Sequence, residues 1–92
     1  MLPKFREHLQ ELYLQAMQDT EVTHMVLGVR TPDSEGIEFI INPRENFAKK
    51  SAYLMNTYGD DWAMVKNPDI FIVSIHFCKG LDEVSELMYS LS

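Results

Sequence analysis

The sequence contains few of the residues that usually build a metal centre, a phosphate-binding loop or a membrane span. Its 92 residues include one cysteine and four glycines. A single cysteine, Cys78, excludes an internal disulfide and a zinc site made of several cysteines. The few glycines form no glycine-rich phosphate motif. The longest apolar runs, such as residues 70–73, are far shorter than the roughly 18 residues that a membrane span needs. We therefore expect no bound cofactor, no metal and no membrane insertion.

Basic residues are also scarce. Eight lysines and arginines face 14 aspartates and glutamates, which gives a net charge of −6. This balance disfavours direct binding to nucleic acid, which depends on clustered basic side chains. Lys49 and Lys50 form the only adjacent basic pair. Arg6, Glu7 and His8 lie where the apolar core of a signal peptide would fall, so we expect a cytoplasmic protein.

The composition is that of one folded domain spanning residues 1–92. Hydrophobic residues make up 46% of the chain and charged residues 24%, as in ordinary globular proteins. Apolar periodicity predicts the element order α-β-β-α-(β)-β-α. The predicted elements are a helix ending near residues 19–20, hairpin strands over 22–30 and 37–41, a helix over 43–58, a strand over 70–78 and a helix from 81 onward.

These elements predict an α+β two-layer sandwich with a three- or four-stranded, largely antiparallel sheet. Asn42 as N-cap and Pro43 at the first helical position predict where the second helix begins. Residues 60–68 could form a short strand or an apolar loop. Residues 70–78 read as the central strand, with Phe71, Val73, Ile75 and Phe77 on one face. Apolar residues left on the other sheet face need cover, either from a helix that crosses over or from a second copy in a homodimer.

Candidate chemistry in the sequence is sparse. His24, His76 and Cys78 could converge on one sheet face, but none of the usual metal-ligand spacings is present. Asp60 and Asp61 beside an aromatic residue could supply a general acid. The same pair follows the expected helix stop at residue 59, so it more simply begins a turn.

The middle of the chain carries a pattern seen elsewhere. The segments Ile-Ile-Asn-Pro-Arg-Glu-Asn-Phe (40–47), Tyr-Gly-Asp-Asp (58–61) and Lys-Asn-Pro-Asp-Ile (66–70) resemble short proteins of unassigned activity encoded by phages and prophages of Gram-positive bacteria. The resemblance covers residues 37–75. It implies an accessory protein of a mobile element that acts by binding a host or phage protein.

These observations lead to three hypotheses of function. The first is a small acidic, non-enzymatic module that binds an unknown protein partner through Tyr53, Tyr58, Asp60, Asp61 and Trp62. Trp62 would be an anchor if it were exposed and would plug one edge of the core if it were buried. The second hypothesis is a nucleic-acid mimic that inhibits a DNA-acting enzyme, and the third is a small enzyme or ligand-binding domain.

Overall fold

The computed structural model describes residues 2–92, which form three α-helices, one 3-10 turn and one antiparallel sheet. The strand order in the sheet is β2-β1-β3. The α+β class and the predicted element order are confirmed, with three strands in the sheet. The elements are α1 (Phe5–Gln18), β1 (His24–Arg30), β2 (Glu38–Pro43), the 3-10 turn (Arg44–Asn46), α2 (Phe47–Thr57), β3 (Phe71–Cys78) and α3 (Gly80–Leu91).

The main core lies between the first face of the sheet and the helices α1 and α2. Apolar side chains at helical spacing on both helices meet alternate residues of β1, as their periodicity predicts. Burying large side chains of this kind stabilises a fold by about 1.5–3 kcal/mol each. The fully buried large side chains of this core are Phe5, Leu9, Met25, Leu27, Phe47 and Leu54.

The central strand is β1 and not β3, so this part of the prediction is wrong. β1 pairs with β2 on one side and with β3 on the other. Residues 62–64 pair with the outer edge of β3 near its start, through Ala63–Phe71 and through the Ile72 N–H, which donates to the Trp62 carbonyl at 2.9 Å. The optional fourth strand of the predicted order is therefore present only as isolated bridges.

A bulge in β3 changes which of its side chains face the core. Gly28 pairs with Ser74 and Val29 pairs with Ile72, which leaves Val73 as an extra residue. Such an insertion reverses the alternation of side chains beyond it. Ile72 and Ile75 therefore both lie in the main core, whereas Phe71 and Val73 are each 38% exposed. The prediction that Phe71 and Val73 share a face with Ile75 is wrong for this reason.

The second helix begins later than predicted, because Arg44 has another role. The Arg44 N–H donates to the Thr23 carbonyl at 2.8 Å and so extends the pairing of β2 with β1. Its guanidinium donates to carbonyls at the end of α1 and in the following turn, which are those of Ala16 (3.2 Å), Met17 (3.2 Å), Asp19 (2.8 Å) and Val22 (2.7 Å). Asn42 and Pro43 consequently belong to β2, and α2 starts at Phe47.

The last helix crosses to the second face of the sheet and so adds a third layer to the predicted two-layer sandwich. There Val84 packs with Val26 and Cys78 in a second, smaller cluster. Phe39, Leu87 and Met88 border this cluster and are partly buried. Of the two covers that the sequence left open for this face, a crossing helix is the one that the fold uses. No helix among residues 2–92 is long and apolar enough to span a membrane.

Candidate functional site

The residues predicted to bind a partner separate into buried and exposed groups. Tyr58 is 5% exposed and Trp62 is 7% exposed, and both belong to the main core. The ring of Tyr58 packs edge-on against Phe5. Tyr53, in contrast, is 52% exposed. Of the three aromatic candidates, only Tyr53 therefore presents its ring at the surface.

Trp62 fixes the loop after α2 onto the start of α1. Its indole Nε1–H donates to the Pro3 carbonyl at 2.8 Å. Its ring lies 5.1 Å from the ring of Phe5 and 5.6 Å from that of His8. The backbone at Trp62 has a φ of 73°, a left-handed conformation that a bulky residue adopts only when its surroundings compensate the strain. Trp62 thus has the role of a plug at one end of the core.

The two carboxylates beside Trp62 bind backbone groups. The carbonyl of Asp60 accepts from the Phe5 N–H at 3.2 Å, and its carboxylate accepts from the Arg6 N–H at 3.4 Å. These contacts complete the first turn of α1, whose own N-cap, Lys4, supplies no side-chain hydrogen bond. Asp61 accepts from the Ala63 N–H at 3.1 Å within its own turn. Asp60 therefore joins the loop to α1, and Asp61 holds the turn of the loop itself.

Tyr53 lies on a different and more accessible surface. The ammonium of Lys50 stands 4.8 Å from the centre of the Tyr53 ring, within the range of a cation–π contact. These two side chains help to line a cavity of about 250 Å³, here called the lysine groove, between the end of β2 and the outer side of α2. The residues that line the lysine groove are Asn42, Asn46, Lys49, Lys50 and Tyr53.

A second cavity of about 200 Å³ lies at the C-terminal end of α2, and Asn56, Thr57, Met64, Val65 and Lys66 line it. The Thr57 hydroxyl donates to the Tyr53 carbonyl at 2.7 Å, one helical turn earlier. The Val65 N–H donates to the Thr57 carbonyl at 2.9 Å, and the Val65 side chain is 61% exposed. We call the two cavities together the α2 outer surface. Three lysines and no carboxylate line it, although the protein has a net charge of −6.

The histidines and the cysteine of the second sheet face do not form a metal centre. His24 lies opposite Cys78, and His76 lies opposite Val26 in the neighbouring row. Nδ1 of His24 is 2.7 Å from the Thr23 hydroxyl. Across residues 2–92, no group of three histidine, cysteine, aspartate or glutamate side chains is placed to hold a metal ion. Burial, and secondarily the charge of Glu83, raise the pKa of the Cys78 thiol, which therefore stays protonated at neutral pH.

Of the residues that line the α2 outer surface, the sequence predicts one as a binding residue, Tyr53, and none of the others. Tyr53 stood out because it lies off the buried stripe of α2. Asn46, Lys50 and Tyr53 are spaced by four and three residues, a pattern that places them on one flank of a helix. The adjacent lysines were visible in the sequence too. That this flank borders the end of β2 depends on the strand order, which the sequence does not reveal. Comparison with protein families, with curated proteins and with solved structures gave no match.

Proposed function

We propose that this protein is a small, non-enzymatic interaction module that binds and modulates a protein partner through the α2 outer surface. The observation that carries the proposal is the half-exposed Tyr53, which lines the lysine groove beside Lys50. Tyrosine is over-represented among the residues that dominate binding energy at protein interfaces. Its ring supplies apolar contact area, and its hydroxyl can still bond at the rim.

The charges around Tyr53 indicate the kind of partner. Lys49, Lys50 and Lys66 are three of the eight basic residues in the chain, and all three line the α2 outer surface. A partner surface that combines an apolar centre with carboxylates complements this arrangement. Elsewhere the protein is predominantly acidic, which disfavours contact of the same partner with its other faces.

The resemblance of residues 37–75 to phage and prophage proteins supports an accessory role in a mobile element. That segment contains every residue that lines the α2 outer surface, from Asn42 to Lys66. Under this proposal the partner is a host or phage protein whose activity changes when the module binds.

Capture from the lysate of a Gram-positive bacterium tests the proposal. Wild-type protein, Tyr53→Ala and Tyr89→Ala are tagged, and captured proteins are identified after washes at low and at moderate salt. Tyr89 provides a matched control, because it is 86% exposed on α3 and lies outside both cavities. Circular dichroism of each variant establishes that the fold is intact.

We expect one dominant partner that wild type and Tyr89→Ala retain through the moderate-salt wash and that Tyr53→Ala loses. Truncating an anchoring aromatic residue costs about 2 kcal/mol or more, which is roughly a thirtyfold loss of affinity. Retention of the same partner by all three proteins would show that the α2 outer surface is not the binding site. Failure of folded wild-type protein to retain any partner would contradict the proposed function.

A further inference from the structure

The outer edge of β2 is a strand edge that residues 2–92 leave unpaired along its whole length. β1 lies on one side of β2, and no strand lies on the other. The outer edge of β3, in comparison, is partly paired by residues 62–64. An unpaired edge exposes a row of N–H and C=O groups that can pair with another strand.

The register identifies which groups point outward. The Arg44 N–H donates to the Thr23 carbonyl, so this pair lies in the hydrogen-bonded phase of the ladder. Hydrogen-bonded pairs alternate along an antiparallel ladder, and Ile40 and Glu38 therefore bond to β1 in the same way. Phe39 and Ile41 consequently direct both their N–H and their C=O groups to the open edge. Pro43 offers only a carbonyl there, because proline lacks an N–H.

Apolar side chains accompany this edge on both faces of the sheet. Ile40 is 39% exposed on the face that α2 covers, and Ile41 is 41% exposed on the face that α3 covers. Natural proteins protect open edges with lysine, proline or bulges. In the middle of β2 the sequence Phe-Ile-Ile carries none of these devices, and the strand has a single charge, that of Glu38.

We infer that a second copy of this chain pairs with β2 and forms a homodimer with a continuous six-stranded antiparallel sheet. A two-fold axis at Ile40 places Phe39 of each copy opposite Ile41 of the other. This register uses all the outward N–H and C=O groups of both residues, which gives four hydrogen bonds across the axis. Shifting the axis to Ile41 would instead place Phe39 opposite Pro43 and lose a donor in each copy.

Charge complementarity supports the same register independently. The register with the axis at Ile40 places Glu38 opposite Asn42 of the second copy, on the face of the sheet that carries α2. Asn42 lines the lysine groove together with Lys49 and Lys50. The only carboxylate of β2 therefore points to the only adjacent basic pair in the chain, and the two-fold axis repeats the contact. Ile40 meets its own copy between these two contacts, which covers its exposed side chain.

A charge-exchange experiment on purified protein tests the dimer. Sedimentation equilibrium over roughly 1 to 500 μM covers the range expected of a small interface. Glu38→Lys alone, and Lys49→Glu with Lys50→Glu alone, should each raise the dissociation constant about tenfold or more, because both create like-charge contacts. An equimolar mixture of the two variants restores both contacts in the mixed dimer. It should therefore dimerise with nearly wild-type affinity.

Two further variants separate dimerisation from folding. Ile41→Pro removes an N–H that points to the open edge, so we expect it to stay folded by circular dichroism and to be monomeric. Glu11→Lys makes the same charge change as Glu38→Lys on the exposed side of α1, and we expect it to dimerise like wild type. A monomeric wild type at every concentration would overturn the inference, as would a mixture no more dimeric than its separate components. These outcomes leave the partner-binding proposal intact, because capture through Tyr53 is measured separately.

Discussion

Replacement of Arg44 provides a sensitive test of how the fold is held together. The Arg44 guanidinium makes four contacts with carbonyl oxygens, and two of them are short, at 2.7 Å to Val22 and 2.8 Å to Asp19. The other two contacts are 3.2 Å long: Nη1, which makes both short bonds, also approaches the Ala16 carbonyl, and Nη2 donates to the Met17 carbonyl. Arg44→Met keeps the length and apolar stem of the side chain but removes every donor.

The expected cost follows from the two short bonds. Hydrogen bonds that involve a charged group contribute about 1.5–3 kcal/mol each, so two of them give about 3–6 kcal/mol. Arg44 is half-buried, and solvent compensates part of this loss. We therefore expect Arg44→Met to lower the free energy of unfolding by about 2–4 kcal/mol. Arg44→Lys keeps a positive charge at the C-terminal end of α1 but has only one donor nitrogen. We therefore expect it to lower the free energy of unfolding by about half as much as Arg44→Met.

Urea denaturation followed by tryptophan fluorescence measures the effect. Trp62, the only tryptophan, is buried in the core and reports on its disruption. With a denaturant dependence of about 1 kcal/mol/M for a small domain, the midpoint for Arg44→Met should fall by about 2–4 M. Arg30→Met, at the exposed end of β1, is the matched control. If Arg44→Met lost no more stability than Arg30→Met, the Arg44 side chain would not be what holds the end of α1 against the end of β2.

Three further predictions follow from single features of the fold. Ser51 is 5% exposed and its hydroxyl bonds to no group among residues 2–92. Ser51→Ala should therefore raise the free energy of unfolding by about 1 kcal/mol, which appears as a higher urea midpoint; a lower midpoint would show that the hydroxyl is hydrogen-bonded. Gly28→Ala places a Cβ 2.5 Å from the Ser74 hydroxyl, so it should destabilise the protein by about 1–3 kcal/mol, and adding Ser74→Ala should recover part of the loss. The Glu21 N–H, and secondarily Lys79, lower the pKa of Asp19 below 3.8, so Asp19 stabilises the fold above that pH and its contribution is lost as the pH falls through the folded-state pKa. In acid titrations Asp19→Asn should therefore differ from wild type in stability at neutral pH and approach it as the pH falls through the folded-state pKa of Asp19; a constant difference would contradict this assignment.

The fold class could be predicted from the sequence because local patterns determine it. The helical stripe from Phe5 to Ala16, the turn chemistry of residues 31–36 and the β-rich runs each act over a few residues. The position of β1 between β2 and β3 could not be predicted, since strand order depends on contacts between distant segments. The bulge at Val73 left no local signal either, and it reversed the expected faces of Phe71 and Val73.

The residues of the candidate site divide in the same way, into those that local patterns predict and those that depend on the tertiary fold. Tyr53 was identified correctly as a surface residue, because helical periodicity excludes it from the buried stripe. Residue type alone predicts Trp62 and Tyr58 as binding residues, because it does not distinguish an interface anchor from a core aromatic. The structural role of Asp60 depends on its distance to Arg6, 54 positions away in sequence. The end of β2 became part of the candidate site only through the tertiary fold.

The position of α3 alone on the second sheet face divides the molecule into two units of unequal size. The cluster beneath α3 is smaller than the core between the sheet and the other helices. A helix held by a few apolar contacts can detach in a local opening that leaves the rest of the domain folded. Such an opening would uncover Cys78, which is 3% exposed and is the only thiol in the chain. The alkylation rate of that thiol in native buffer would then report how often α3 detaches, whereas Trp62 reports the unfolding of the whole domain.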